Sequence, residues 1–140
     1  MRLETPKWSD VPAIWPKIEP WIISALDHGG GLMTLRDVYQ GLLGRNMKLW
    51  LAVDGDEIKA CCITQVTMYS AERHLTLLIA GADAGAGGLD EWPAFHDVLE
   101  NYAKVLECEA IEFIGRAGWK RRVKELGYEP TAIYYRKRIV

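Results

Sequence analysis

Apolar residues recur at helical spacing near the start of the chain, between residues 11 and 26. Ser9 or Asp10 can cap a first helix at this point. Proline removes a backbone donor and clashes with the preceding turn, so Pro16 and Pro20 are expected to break the pattern. Residues 21–26 are then predicted to form a second, short helix.

A further apolar stripe covers residues 35–43 and has helix signals at both ends. Thr34 with Asp37 three positions later matches a capping box, and Gly44 favours a helix end. These features predict a helix over residues 35–43.

Strand patterns occupy the middle of the chain. Residues 48–53 and 58–68 are rich in β-branched and aromatic side chains, and the Asp54 and Gly55 pair between them is a strong signal for a hairpin turn. The near-continuous apolar run at 74–80 predicts a third strand, covered on both faces and central in a sheet.

Strands and helices alternate in the remainder. A helix capped by Asp90 is predicted after the glycine-rich stretch 81–88, and 110–114 is predicted to be a short buried strand. A helix over 118–126, ended by glycine, and a last strand over 131–139 complete the pattern.

This order predicts an α/β protein in one domain, residues 1–140, built on a single mixed sheet. The N-terminal helices come first and the antiparallel strands second. A strand, helix, strand, helix, strand succession follows them.

Composition narrows the class of protein. Hydrophobic residues make up 49% of the chain and charged residues 26%, as in an ordinary globular protein. The net charge of -2 argues against a nucleic-acid partner or an anionic membrane surface. Because no stretch approaches the roughly 20 apolar residues of a membrane span, we expect a cytoplasmic protein with no membrane partner.

Cysteine and histidine usage argues against a metal site. The residues concerned are Cys61, Cys62, Cys108, His28, His74 and His96. Neighbouring residues of one strand point to opposite faces, so the adjacent cysteines are unable to share a metal. The histidines show no ligand spacing. We therefore expect reduced, mostly buried cysteines and no metal.

The glycine-rich loop is the feature that invites a mechanism. A helix N-terminus presents unpaired backbone N–H groups and a partial positive charge, and glycines let a phosphate approach them. Residues 85–89 would form such a cradle. A flexible surface turn of small residues is the alternative, because a glycine cluster alone is not specific.

The strand, glycine loop and helix over 74–106, together with the helix end at 124–129, resemble the Gcn5-related N-acetyltransferases. The resemblance covers about residues 48–139. It implies the mixed α/β sheet of that family, and acetyl-coenzyme A in a cleft where the central strand parts from its neighbour. It also implies transfer of an acetyl group to an amine of a small molecule or protein.

The same resemblance assigns residues to the coenzyme. The pantetheine arm would pair with the backbone of residues 77–81, which include Leu77, Ile79 and Gly81. The pyrophosphate would meet the backbone amides of Gly85, Ala86, Gly87, Gly88 and Leu89.

The reaction needs a base for the amine and an acid for the departing thiolate. Glu72 and His74, at the start of the central strand, are the candidates for the base, although such residues are more often solvated turn residues. Where the family places an acidic tyrosine this sequence has Val123, which has no proton to donate. Tyr128 is expected to pack in the core.

Two functions of different classes stay open. One is an acyl-coenzyme A-dependent N-acetyltransferase. The other is a catalytically degenerate protein that uses the same scaffold for protein interaction, which is favoured by Val123 and by the absence of the family's Gln or Arg at the loop start.

Two further expectations concern partners and source. Residues 115–119, with the short loop, resemble acetyltransferase-like proteins of tailed bacteriophages, which implies the host cytoplasm. An apolar patch including some of Trp8, Trp15 and Trp21 predicts a homodimer or a protein partner, because tryptophan is a favoured interface anchor.

Overall fold

The computed structural model describes residues 1–28, 32–82, 92–115 and 123–140. Its elements are β1 (Arg2–Glu4), a 3-10 turn (Trp8–Asp10), α1 (Val11–His28), α2 (Leu35–Leu43), β2 (Lys48–Asp54), β3 (Glu57–Met68), β4 (Arg73–Ala82), α3 (Trp92–Val105) and β5 (Ala110–Glu112). The strands form a five-stranded sheet in the order β1-β2-β3-β4-β5. All neighbours are antiparallel except β4 and β5, which are parallel. The predicted mixed α/β class is confirmed.

Local signals account for the hairpin and for α2. Gly55 has a φ of 63°, the left-handed conformation that a tight hairpin turn requires. Thr34 accepts a hydrogen bond from the backbone of Asp37, whose carboxylate accepts one from the backbone of Thr34 in return. This capping box begins α2, and Gly44 follows its last residue, as predicted.

The predicted break in the first helical segment is wrong, because α1 is continuous through Pro16 and Pro20. Both prolines, and Pro12 before them, are exposed. Their spacing of four residues places them on one face of the helix. The carbonyl groups that lose a donor to proline lie on that solvent face and can bind water instead.

The C-terminal prediction of a strand over 131–139 is also wrong, since the structure assigns no strand there. Its alternating apolar residues do not bury one face: Ile133 is 73% and Tyr135 84% exposed. Without that burial, alternation alone does not stabilise a strand. The short β1 at the other end had no pattern to reveal it, because three residues are too few.

The sheet carries a hydrophobic core on each face. α1 and α2 cover one face, where Ile18, Ile22 and Ile63 are fully buried. α3 covers the other face, where Leu99 packs with Trp50. No helix among the described residues is long and apolar enough to cross a membrane.

A register shift in the sheet changes which residues face each core. Ile63 pairs with Ile79, but the next residue, Thr64, pairs with Leu77, so Leu78 is an extra residue on β4. Such a bulge bends the strand and shifts its side-chain alternation. It lies in the part of β4 that lines the candidate site.

Candidate functional site

A cleft opens where β4 and β5 part. The parallel pairing runs from His74 opposite Ala110 to Thr76 opposite Glu112, and β4 then continues to Ala82 without β5. A cavity of about 160 Å³ lies at this point. Its walls are residues 77–80 of β4, 113–115 after β5, Ala25, His28, Cys62, Trp92, Val123 and Tyr128.

Two of the predicted coenzyme residues, Leu77 and Ile79, are in this wall. Gly81 is not, and has a packing role that the sequence does not reveal. A Cβ atom on Gly81 would lie 2.8 Å from the Cβ atom of Trp21 in α1. The missing side chain therefore lets α1 approach β4 closely.

The remaining predicted coenzyme residues are those of the glycine loop, Gly85, Ala86, Gly87, Gly88 and Leu89. They lie outside the described residues, as does the predicted cap Asp90. The helix that follows this loop, α3, begins at Trp92, which lines the cleft.

His28 is a cleft residue that sequence reasoning did not single out. Trp21 packs on Gly81, and Ala25 and His28, one and two turns further along α1, line the cleft. The Nδ1 atom of His28 lies 2.7 Å from the carbonyl oxygen of Ser24. A carbonyl only accepts, so Nδ1 carries a hydrogen, and in the neutral imidazole the lone pair is then on Nε2.

The predicted pair Glu72 and His74 is brought together by the structure in a larger network at the start of β4. The Nε2 atom of His74 lies 3.0 Å from Glu72, and its Nδ1 atom lies 3.0 Å from Glu112. Glu112 also accepts hydrogen bonds from the hydroxyls of Tyr69, at 2.6 Å, and Thr76, at 2.9 Å. Neither Glu72 nor His74 is in the cleft wall.

The imidazolium of His74 and the carboxylate of Glu112 stabilise each other's charged form. The hydrogen bonds to Glu112 and then to Glu72 raise the pKa of His74. Burial acts to raise the pKa of Glu112, but the hydrogen bonds from Tyr69, His74 and Thr76 together lower it. The structure thus favours an imidazolium between two carboxylates, with a net negative charge.

Cys62 is the cysteine in the cleft wall, and burial raises its pKa to about 12. A thiol with such a pKa is protonated at neutral pH, so it is a poor nucleophile. Cys61, Cys62 and Cys108 are free, and the first two are buried, as expected of packing residues. Cys61 and Cys62 belong to different cores, as their adjacency predicts.

Tyr128 lies in the cleft wall, in addition to packing against Phe113. Its hydroxyl lies 2.6 Å from the Nε2 atom of His96, a buried residue of α3. Burial raises the pKa of Tyr128 and lowers that of His96, so both groups are neutral at neutral pH. Val123 is in the same wall and, as predicted, offers no proton.

Sequence reasoning therefore missed His28, Glu112 and the pair of His96 and Tyr128. The hydrogen bond from His96 joins residues 32 apart, and that from His74 to Glu112 joins residues 38 apart. No sequence pattern signals contacts at such separations. His28 had one signal, its position at the end of a helix that precedes a glycine run.

The expected tryptophan patch is only partly available as an interface. Trp21 is buried, and Trp15 packs edge-on against Tyr39. Trp8 is 51% exposed, but the guanidinium of Arg45 lies over its ring at 4.5 Å. Such a patch stays a prediction.

Comparison with known proteins identifies the fold. No protein-family model matches the sequence, and no curated protein matches it. Among solved structures, a probable acetyltransferase superimposes with a TM-score of 0.74 at 10% identity, over 100% of this chain and 97% of the other.

Two further structures are similar over nearly the whole chain. A predicted acetyltransferase from Clostridium acetobutylicum, crystallised with acetyl-CoA, has a TM-score of 0.72 at 13% identity, over 99% of this chain and 96% of the other. An aminoglycoside acetyltransferase from an uncultured soil metagenomic sample, in complex with sisomicin, has a TM-score of 0.67 at 11% identity. The match covers 99% of this chain and 96% of the other. The chain therefore has the fold of the Gcn5-related N-acetyltransferases.

Proposed function

We propose that the protein is an N-acetyltransferase that takes acetyl-coenzyme A as donor and an amine as acceptor. The observation that carries the proposal is the cleft between β4 and β5 in a chain with this fold. The cleft has polar backbone and titratable side chains in its wall.

The cleft fits the arm of the coenzyme. Beyond Thr76 the described part of β5 offers β4 no pairing, so backbone groups on that side of residues 77–80 are without a strand partner. Backbone N–H and C=O groups in such a place need hydrogen-bond partners. The pantetheine arm has amide groups that match this need, and the bound thioester supplies an activated acetyl group. Leu77 and Ile79 would hold the arm, and the amides of Gly85, Ala86, Gly87, Gly88 and Leu89 the pyrophosphate.

His28 is the proposed base. It lines the cleft, and the Nδ1 contact with Ser24 means that the lone pair of the neutral imidazole is on Nε2. A base must come within hydrogen-bond reach of the proton that it removes. Glu72 and His74, the base candidates from the sequence, lie outside the cleft wall.

The network of Glu72, His74 and Glu112 then has another role in the proposal. Glu112 is at the last paired position before the cleft, so its negative charge lies at the cleft entrance. Amines are cationic in solution, and a nearby carboxylate favours their binding. We therefore assign recognition of the cationic acceptor to this network. The acceptor loses its proton only when its amino group lies beside His28.

Tyr128 is the proposed acid in place of the tyrosine that Val123 replaces. In one tautomer His96 donates its Nε2 hydrogen to the phenol oxygen, which leaves the phenol hydrogen free for the departing thiolate. The nitrogen of the amine forms the new bond to the acetyl carbon as the carbon–sulfur bond breaks. His28 gains one proton and Tyr128 loses one; the Nε2–H of His96 stabilises the phenolate, which regains its proton from solvent.

Transfer is direct in this proposal, without an acetyl-enzyme. Cys62 is the thiol that could form one, and its raised pKa of about 12 leaves almost no thiolate. Substitution of Cys62 by Ala is therefore expected to spare turnover.

The experiment is a transfer assay with a panel of amines. The panel includes sisomicin, because a protein of this fold binds it, together with polyamines and a lysine peptide. Mass spectrometry of the acceptor and release of the free thiol are measured together. Acetylation of one amine, lost in His28→Gln, supports the proposal. Coenzyme binding without transfer to any amine would favour the interaction protein instead.

A further inference from the structure

A second cavity, of about 180 Å³, lies away from the cleft. Its wall includes Arg45, Asn46, Lys48, Thr64 and Tyr102. It lies beside the turn between α2 and β2, on the face of the sheet that α3 covers. Tyr102 follows Trp92, the α3 residue of the cleft, by ten positions, which is about 15 Å along a helix. The two cavities share no wall residue, although Thr64 of the second pairs with Leu77 of the first.

Positive charge in this wall is not paired with a carboxylate of the part of the chain that the structure describes. Among the described residues, neither Arg45 nor Lys48 has a carboxylate oxygen within 4.0 Å. Their contacts are with aromatic rings: Arg45 lies over Trp8, and the Nζ atom of Lys48 lies 4.8 Å from the ring centre of Tyr102. A ring face compensates a cation only in part. An anion between the two side chains would therefore be stabilised.

The turn that carries the two cations is fixed by its own backbone. Arg45 has a φ of 63°, which is rare for a residue with a side chain. Its N–H donates to the carbonyl of Leu42, and the N–H groups of Asn46 and Met47 both donate to the carbonyl of Gly41. These bonds fix the backbone of the turn that carries Arg45 and Lys48.

A buried hydroxyl adds a donor. Thr64 is 1% exposed, and its Oγ1 atom accepts a hydrogen bond of 3.0 Å from the indole N–H of Trp50. The hydroxyl hydrogen is then left for another acceptor. In a cavity with two cations and an Asn46 side chain, an anionic oxygen would be a suitable acceptor.

We infer that this cavity binds a small anion with a phosphate or carboxylate group, held by Arg45, Lys48 and Thr64. The volume of about 180 Å³ is sufficient for inorganic phosphate or a short carboxylic acid. The site is independent of the proposed transferase activity.

The test is an NMR titration of the full chain with inorganic phosphate and, separately, with succinate, at constant ionic strength. The indole N–H of Trp50 reports on the cavity because it is bonded to Thr64. We expect a saturable shift with at least one probe, and the probe that binds identifies a phosphate or a carboxylate ligand. Arg45→Gln and Lys48→Gln should each weaken binding about tenfold or more, since charge-assisted hydrogen bonds contribute factors of this size.

Lys59→Gln is the matched control, because Lys59 pairs with Glu57 and is not in the cavity wall. It should bind like the wild type. A shift without saturation for both probes would overturn the inference, as would equal affinity in the folded Arg45→Gln and Lys48→Gln proteins. Two variants are used so that loss of folding in one leaves the other decisive.

Discussion

The Nδ1 atom of His74 lies 3.0 Å from a carboxylate oxygen of Glu112, which links the start of β4 to the end of β5. Tyr69 and Thr76 bond the other oxygen of the same carboxylate. This network closes the sheet at the position where the two strands begin to part. It therefore places a carboxylate at the last paired position before the cleft.

Stability should depend on pH through this pair. The pKa of His74 is raised above its ordinary value of 6.5, so its contribution is full below that pH and is lost as pH rises through the folded-state pKa. The pKa of Glu112 is lowered from 4.5, so its contribution is lost in acid. The free energy of unfolding, measured by urea denaturation across pH, should be highest between about pH 4.5 and 6.5. In His74→Gln the decline above pH 6.5 should be smaller, and an unchanged decline would contradict the coupling.

The base is tested by a pair of matched substitutions. His28→Gln should lower kcat about 100-fold or more, because a positioned base contributes factors of 10² to 10⁴. His74→Gln should leave kcat nearly unchanged and mainly lower KM for a cationic acceptor, because it removes the positive charge that lies between Glu72 and Glu112. Steady-state kinetics with one amine acceptor distinguishes the effect on kcat from the effect on KM. The opposite result, with kcat lost in His74→Gln alone, would return the role to the residue that the sequence suggested.

The acid is tested by Tyr128→Phe. The change removes the hydroxyl that is bonded to buried His96 at 2.6 Å, so the free energy of unfolding should fall by about 1 to 3 kcal/mol. The kcat value should fall about 100-fold or more. His96→Gln serves as the comparison, since it keeps the phenol and alters only its partner. If Tyr128→Phe loses stability but keeps kcat, the residue is structural.

Gly81 offers a test of packing that is separate from chemistry. In Gly81→Ala the new Cβ atom would lie 2.8 Å from the Cβ atom of Trp21 and 3.1 Å from its carbonyl oxygen. α1 must then move from β4, at a cost of about 1 to 3 kcal/mol. Thermal unfolding measures the loss, and Ala71→Val, at an exposed turn before β4, is the control. Equal melting temperatures of the wild type and Gly81→Ala would show that the contact between Gly81 and Trp21 is not tight.

Features with local causes were predictable from the sequence, whereas contacts between distant elements were not. The hairpin turn at Gly55 and the capping box at Thr34 each depend on a few adjacent residues. The continuity of α1 depends on Pro16 and Pro20 facing solvent, which only the packing reveals. The partner of His74 depends on the register between β4 and β5, and sequence periodicity contains no information on register between distant strands.

The central claim is that the cleft between β4 and β5 binds acetyl-coenzyme A, and calorimetric titration with this ligand tests it most directly. Ala80→Trp would place an indole in the cleft wall, whereas Ala71→Trp makes the same change at an exposed turn before β4. The wild type and Ala71→Trp should bind with equal affinity, and Ala80→Trp about tenfold or more weakly. Absence of heat and of thermal stabilisation at millimolar ligand, or equal affinity in all three proteins, would contradict the account.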